Sequence, residues 1–148
     1  MRRSNIVNLS AKTEYACIAM LELACQYAGQ KPVRLRSIAQ RHGIPGRFLV
    51  QILLQLKAAG LVQSTRGAAG GYRLARDPAQ VTLRDVTQIL DGQPATITSK
   101  AENTTSISTT LIDIFNHFRS QQTEMLQTIT LAELMQRAEQ ETNPMYYI

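Results

Sequence analysis

The sequence is poor in the residue types from which metal centres are built. Its 148 residues include no tryptophan, two cysteines and two histidines, and aromatic residues make up 5%. Cys17 and Cys25 fall on one predicted helix, about 12 Å apart along its axis, which is too far for a disulfide. His42 and His117 stand alone, so the spacing offers no metal-ligand cluster. We interpret the two thiols as small buried hydrophobes, with a redox-sensing role as the alternative.

Long apolar runs and catalytic patterns are also missing. No stretch reaches membrane-spanning length, and residues 1–5 are followed by no apolar run of the kind a secretory signal needs. We therefore expect a cytoplasmic protein. Neither a nucleophile–base pair, a carboxylate pair nor a Walker-type phosphate loop is visible, so we expect no enzymatic activity.

What the sequence does have is a strong asymmetry of charge. Residues 1–76 contain 12 Lys and Arg against 2 Asp and Glu, a net +10, whereas residues 77–148 contain 4 against 9, a net −5. A cationic half suits a polyanion, either nucleic acid or an anionic membrane. Membrane binding needs an apolar helix face that is free to insert, and the apolar faces here look committed to a core. The alternative is a basic surface without a partner.

The amino-terminal half has the pattern of a helix-turn-helix. A first helix is predicted over residues 11–28, with Ser10 as its N-cap. A short extended piece covers residues 33–35. Two helices then follow over residues 36–42 and 47–59, joined by a tight glycine- and proline-containing turn.

The last of these helices has two distinct faces. At 100° per residue, its core face contains Leu49, Ile52, Leu53 and Leu56. The opposite face contains Arg47, Val50, Gln51, Leu54 and Ala58. Arginine pairs with guanine and glutamine with adenine in the major groove, and recognition helices use their first turns for this. The alternative is an ordinary polar surface.

A β-hairpin is predicted directly after this helix. Strands over residues 61–64 and 72–75 flank a loop of small residues at 65–71. Glycines allow a hairpin tip to approach the sugar-phosphate backbone closely, and Arg66 could reach a narrow minor groove. Its position after a helix-turn-helix indicates a wing, although a purely structural hairpin is the alternative.

The carboxyl-terminal half is predicted to be helical. A helix follows Thr82 and ends near residue 92, a polar loop covers 93–105, and a long helix covers 106–127 before a last helix to about 140. The long helix carries an apolar stripe, which we expect to pack against a second copy of the chain. Packing back onto the same domain is the alternative. The predicted dimer-interface residues are Ile107, Leu111, Ile114, Phe115, Phe118 and Met125.

Together these elements predict a mostly α fold, a winged helix-turn-helix domain with a two-stranded wing and a long C-terminal dimerisation helix. We assign residues 1–92 to the DNA-binding domain, 93–105 to a loop, 106–141 to dimerisation helices and 142–148 to a C-terminal tail.

The chain resembles the winged-helix transcriptional regulators of the IscR/NsrR/CymR type, the Rrf-two family, over nearly its whole length. The motifs are Leu9-Ser10-x-Lys12-x-x-Tyr15-Ala16, Ile38-Ala39, Gly43-Ile44-Pro45, Leu61-Val62-x-Ser64-x-Arg66-Gly67-x-x-Gly70-Gly71-Tyr72-x-Leu74-Ala75-Arg76 and Thr130-Leu131-Ala132-Glu133-Leu134. The Arg-Gly-x-x-Gly-Gly-Tyr wing is the most specific of them.

The resemblance implies that positions 47, 50 and 51 read bases and that Arg66 enters the minor groove. Val50 stands where iron–sulfur members often carry an acidic residue, and valine cannot accept a hydrogen bond from cytosine, so the operator sequence does not carry over. The predicted DNA-binding residues are Arg34, Arg47, Val50, Gln51, Arg66, Gly67, Gly70, Gly71, Tyr72 and Arg73.

The resemblance also bears on cofactors. Iron–sulfur members carry three cysteines in the loop before the long helix, and residues 91–111 contain none. Because thiolates are needed to hold such clusters, we expect no cofactor and a place in the cluster-free branch, closest to the CymR-type repressors of cysteine metabolism.

The tail resembles that branch as well. This resemblance implies that cysteine synthase (O-acetylserine thiol-lyase) is a partner protein and that Tyr146, Tyr147 and Ile148 bind it. The physical reason is that a terminal carboxylate can be captured by backbone N–H groups. The alternative is that these residues pack on the dimer helix. Two rival functions stay open: a regulator of this family that senses a small ligand or a redox signal, and a non-specific architectural DNA-binding module.

Overall fold

The computed structural model describes residues 9–142 and confirms the mostly α, winged-helix architecture. One antiparallel two-stranded sheet follows three helices, and three further helices follow the sheet. The elements are α1 (Ala11–Cys25), α2 (Leu35–His42), α3 (Gly46–Ala58), β1 (Val62–Thr65), β2 (Gly71–Leu74), a 3₁₀ turn (Pro78–Gln80), α4 (Leu83–Asp91), α5 (Ser106–Thr128) and α6 (Leu131–Thr142).

Helix α1 begins where the sequence predicts and ends earlier. The Ser10 hydroxyl accepts the Thr13 N–H at 3.1 Å, which makes Ser10 the N-cap. At the other end, the N–H groups of Gln26 and Tyr27 donate to the carbonyl oxygens of Leu23 and Ala24, three residues back. This 3₁₀-type pattern ends the α-helix at Cys25, whereas the sequence predicted an end at residue 28.

Helix α3 buries the face that the sequence predicts. Its buried residues are Leu49, Ile52, Leu53 and Leu56. The turn before it depends on Gly43, which caps α2 in the left-handed conformation at φ +66°. A single core therefore fixes both helices of the helix-turn-helix.

The wing is a short hairpin with a third partner. Val62 pairs with Leu74 and Thr65 with Gly71 across β1 and β2. Val33, in the predicted extended piece, exchanges two 2.8 Å backbone hydrogen bonds with Tyr72. The segment between α1 and α2 thus extends the sheet by one bridge and holds the base of the wing.

The hydrophobic core lies mainly in the amino-terminal half. Among the described residues, the buried apolar ones beyond residue 76 are Pro78, Val81, Val86, Leu90 and Leu131. Helix α5 buries no residue, whereas α6 returns to the domain through the fully buried Leu131. A bridge between Thr82 and Thr130 anchors that return.

Capping motifs start all three later helices, and at α5 the capping box is formed by Thr105 and Ser108. Thr82 and Asp85 form a reciprocal capping box at α4. At α6 the Thr130 hydroxyl accepts the Glu133 N–H at 3.1 Å, while the Glu133 carboxylate accepts from Arg137 at 2.5 Å. Across residues 9–142, no helix has both the length and the apolar character that crossing a bilayer requires.

Candidate DNA-binding surface

The outer face of α3 presents side chains to solvent from its first turn onward. Arg47 and Gln51 are exposed, and Val50 is 38% exposed between them. The Arg47 guanidinium lies over the Phe48 ring, 5.1 Å from its centroid, in a cation–π contact that orients it. The first turn contains no acidic residue. Such a helix start is suited to a phosphate or to the edges of bases.

Glycines determine the shape of the wing tip. A Cβ on Gly70 would lie 2.1 Å from the Thr65 carbonyl oxygen, and one on Gly71 would lie 2.6 Å from the Val33 carbonyl oxygen. Gly67 adopts φ +100°. Side chains at positions 70 and 71 would therefore displace backbone, while Arg66 stays exposed at the tip.

Two cationic side chains tie the wing to the helix-turn-helix. Arg34, the N-cap residue of α2, donates to the carbonyl oxygen of Ala68 at the tip. Lys57, in the last turn of α3, donates to the Ser64 hydroxyl at 2.7 Å. Sequence reasoning proposed Arg34 as a DNA ligand and missed Lys57, because both contacts depend on how the hairpin folds back.

Tyr72 and Arg73 are only half exposed. Tyr72 pairs through its backbone with Val33, and Arg73 lines a small surface cavity with Tyr27 and Gln63. Their positions on β2 place them along the base of the wing, whereas Arg66 and Gly67 lie at its tip.

A second surface runs along α5. The six residues predicted for the dimer interface are 40–81% exposed, from Phe115 at the low end to Ile107 at the high end. Phe115 and Phe118 form a T-shaped pair with centroids 5.7 Å apart. The preceding loop is held to α5 by the Asn116 side-chain amide, which exchanges two hydrogen bonds with the Ile97 backbone at 2.8 and 3.0 Å. Tyr146, Tyr147 and Ile148 lie outside the described residues.

A helix-turn-helix followed by a glycine-tipped wing on a basic half defines a winged-helix, DNA-binding transcriptional regulator. The Rrf2 family model, described as an iron-dependent transcriptional regulator, matches residues 9–137. The chain belongs to the Rrf2 family.

Relatives and solved structures agree with this membership. The chain is 40% identical to the HTH-type transcriptional regulator CymR of Bacillus subtilis over 86 residues, covering 58% of this chain and 62% of that protein. It is 34% identical to IscR of Vibrio cholerae over 131 residues, 87% of this chain and 75% of that protein.

The fold is likewise similar to that of B. subtilis CymR, described as its global cysteine regulator, with a TM-score of 0.77 and 32% identity over 88% of this chain and 98% of that one. IscR of T. potens gives a TM-score of 0.74 at 33% identity, covering 92% and 91%.

The donor set of this chain does not fit an iron–sulfur cluster. Both cysteines lie on α1, and the loop before α5 has none. Burial, with a smaller effect of the Asp91 charge, raises the pKa of the Cys17 thiol to about 11, which disfavours the thiolate that a metal needs. Across residues 9–142, no three His, Cys, Asp or Glu side chains come together as a metal site.

One interpretation of the thiols is wrong. The prediction that both are buried fails for Cys25: Cys17 is half-buried, but Cys25, the last residue of α1, is exposed. The pKa of Cys25 is also raised, first by partial burial and then by the Glu22 charge.

Proposed function

We propose that this protein is a homodimeric, sequence-specific DNA-binding repressor of cysteine and sulfur metabolism genes that acts without an iron–sulfur cluster. The observation that carries the DNA-binding part is the outer face of α3. Arg47 and Gln51 are exposed there one turn apart, on a half of the chain with net charge +10.

In this arrangement α3 enters the major groove. Arg47 pairs with a guanine and Gln51 with an adenine, since these side chains match the paired hydrogen-bonding groups of those bases. Arg66 reaches into the adjacent minor groove, where a narrow groove enhances the negative potential. The contacts of Arg34 and Lys57 hold the wing in place for that approach.

The dimer proposal rests on α5. This helix has 23 residues and none is buried, while its apolar stripe is broadly exposed. The winged-helix core is complete without that stripe, so a second copy of α5 is the simplest cover for it. Two α3 helices would then face successive major grooves of a near-palindrome.

The proposal that cysteine and sulfur metabolism genes are the regulated genes is supported only by similarity to known regulators. B. subtilis CymR, to which the chain is similar in both sequence and fold, is described as a global cysteine regulator. Cysteine synthase as co-regulator, with O-acetylserine as the signal acting through it, rests on the resemblance of the tail. A titration with purified cysteine synthase tests this: the full chain should bind, and a chain lacking Tyr147 and Ile148 should not. Equal binding by both chains would contradict the proposed role of the tail in binding cysteine synthase.

Selection from a pool of random-sequence duplexes at fixed ionic strength tests the DNA-binding proposal. We expect convergence on a near-palindrome with half-sites about one helical turn apart. The selected duplex should be preferred over random DNA by roughly 10³-fold or more. Random DNA that competes equally well would instead indicate an architectural, non-specific binder.

A further inference from the structure

Two apolar side chains on the outer face of α3 have no role in the core. Val50 is 38% exposed and Leu54 is 48% exposed, one turn apart on the same face as Arg47 and Gln51. Residues four apart on a helix are neighbours, so the two side chains form one small apolar patch. Phe48 is also exposed, but the Arg47 guanidinium already lies over its ring.

The surroundings of this patch indicate its partner. Helix α3 contains no acidic residue, and the cations Arg47 and Lys57 flank the patch along the helix. The first 76 residues carry a net +10. A partner must therefore combine dense negative charge with apolar groups at the bottom of a groove wide enough for a helix. Duplex DNA does so, and the apolar group it displays in its major groove is the C5-methyl of thymine.

We propose that Val50 and Leu54 recognise thymine methyl groups in each half-site, beside the bases that Arg47 and Gln51 bind. The inference rests on the proposed DNA-binding function and specifies what that surface reads. The Cβ atoms of the two residues are about 5–6 Å apart, and successive bases along a strand are about 3.4 Å apart. The patch thus covers the methyl groups of thymines one or two steps apart.

The chemistry of Val50 explains why thymine should be preferred over cytosine. Valine has no acceptor for the cytosine amino group, so a C·G pair at its position leaves that donor unpaired in a desolvated interface. A T·A pair instead offers a methyl group for apolar contact. Val50 therefore favours thymine both by contact and by penalty, and the same holds for Leu54, whose side chain likewise has no acceptor.

Uracil substitution isolates the methyl group. In the duplex selected above, each thymine of a half-site is replaced in turn by uracil, which keeps every hydrogen bond and removes only the methyl. For the full chain we expect a loss of about 4-fold in affinity at one or two positions, the value of one buried methyl group. Val50→Ala and Leu54→Ala should each become insensitive to uracil at its own position. Arg66→Ala, the matched control, should bind more weakly yet keep the full uracil penalty.

A gain of specificity provides the second measurement. Val50→Glu introduces an acceptor for the cytosine amino group, so it should prefer C·G over T·A at the position where the unsubstituted chain prefers T·A. Uracil tolerance at every position, or an unchanged penalty in both alanine variants, would overturn the inference and leave DNA binding intact. Failure to select any duplex would overturn the proposed function itself.

Discussion

The two halves of the molecule expose apolar side chains in different electrostatic settings. On α3 the apolar patch is small and lies among cations, in a half with net charge +10. On α5 the apolar stripe is long and lies in a half with net charge −5. The same observation, an exposed apolar surface, therefore indicates a charged polymer in one place and a second protein surface in the other.

The halves also differ in how far they are self-sufficient. The amino-terminal half contains most of the core, and α6 and α4 complete it through Leu131, Val86 and Leu90. Helix α5 contributes no buried residue. We expect DNA contacts to depend on the first half and affinity for a two-fold site to depend on the second.

A charge introduced into the apolar stripe of α5 should have the largest effect on dimerisation and DNA binding. Phe118→Lys removes one ring of the Phe115–Phe118 pair and places a cation in the proposed interface. We expect a monomer in sedimentation analysis, and a loss of about 10²–10⁴-fold in affinity for a palindromic site because the two half-sites no longer bind together. Ser120→Lys, also exposed on α5, should remain dimeric. A dimeric Phe118→Lys would show that the copies associate elsewhere.

The next largest effect is expected when a methyl group is added to the wing. Gly70→Ala places a Cβ 2.1 Å from the Thr65 carbonyl oxygen, so the hairpin must open. Because Arg66 and the tip move together, we expect specific binding to fall by about 3 kcal/mol, measured by fluorescence anisotropy. The exposed neighbour Ala69→Ser should bind normally. Normal binding by Gly70→Ala would mean that the wing does not contact DNA.

Removal of a single side chain from the wing should weaken DNA binding by less. We expect Arg66→Ala to weaken specific binding by about 1–3 kcal/mol at fixed salt, the usual range for one base contact. Arg137→Ala, on the exposed side of α6, serves as the distant control and should bind unchanged. If both variants bind equally, the minor-groove contact is absent and α3 alone reads the site.

The smallest effect concerns stability at alkaline pH. The pKa of Cys17 is raised from 9.0 to about 11, mainly by burial, so the folded state keeps its proton where the unfolded state loses it. That contribution is complete below the unfolded pKa and disappears as pH rises through the folded one. Between pH 9 and pH 11, the free energy of unfolding should fall by about 1–2 kcal/mol more than in Cys17→Ala. Parallel pH profiles for the two proteins in chemical denaturation would contradict the burial of this thiol.

Local periodicity accounts for what the sequence predicted well. The core face of α3 and the cap at Ser10 depend on residues close together in the chain, and both are confirmed. One contact that sequence reasoning missed joins residues far apart in the chain. Thr13 is 1% exposed, and its hydroxyl donates to the Asp91 carboxylate at 2.6 Å, a contact across 78 positions. No local pattern indicates that pair. The exposure of Cys25, the last residue of α1, was missed as well.

The contacts that hold the wing have a consequence for how binding responds to salt. Each phosphate neutralised by a protein cation changes the slope of log affinity against log salt by about 0.9. Arg34 and Lys57 each donate one N–H group within the protein, to the neutral oxygens of Ala68 and Ser64, and both side chains stay charged and exposed. Either cation can therefore hold the wing and still neutralise a phosphate, so its replacement should lower the salt slope by up to about 0.9 as well as loosen the wing.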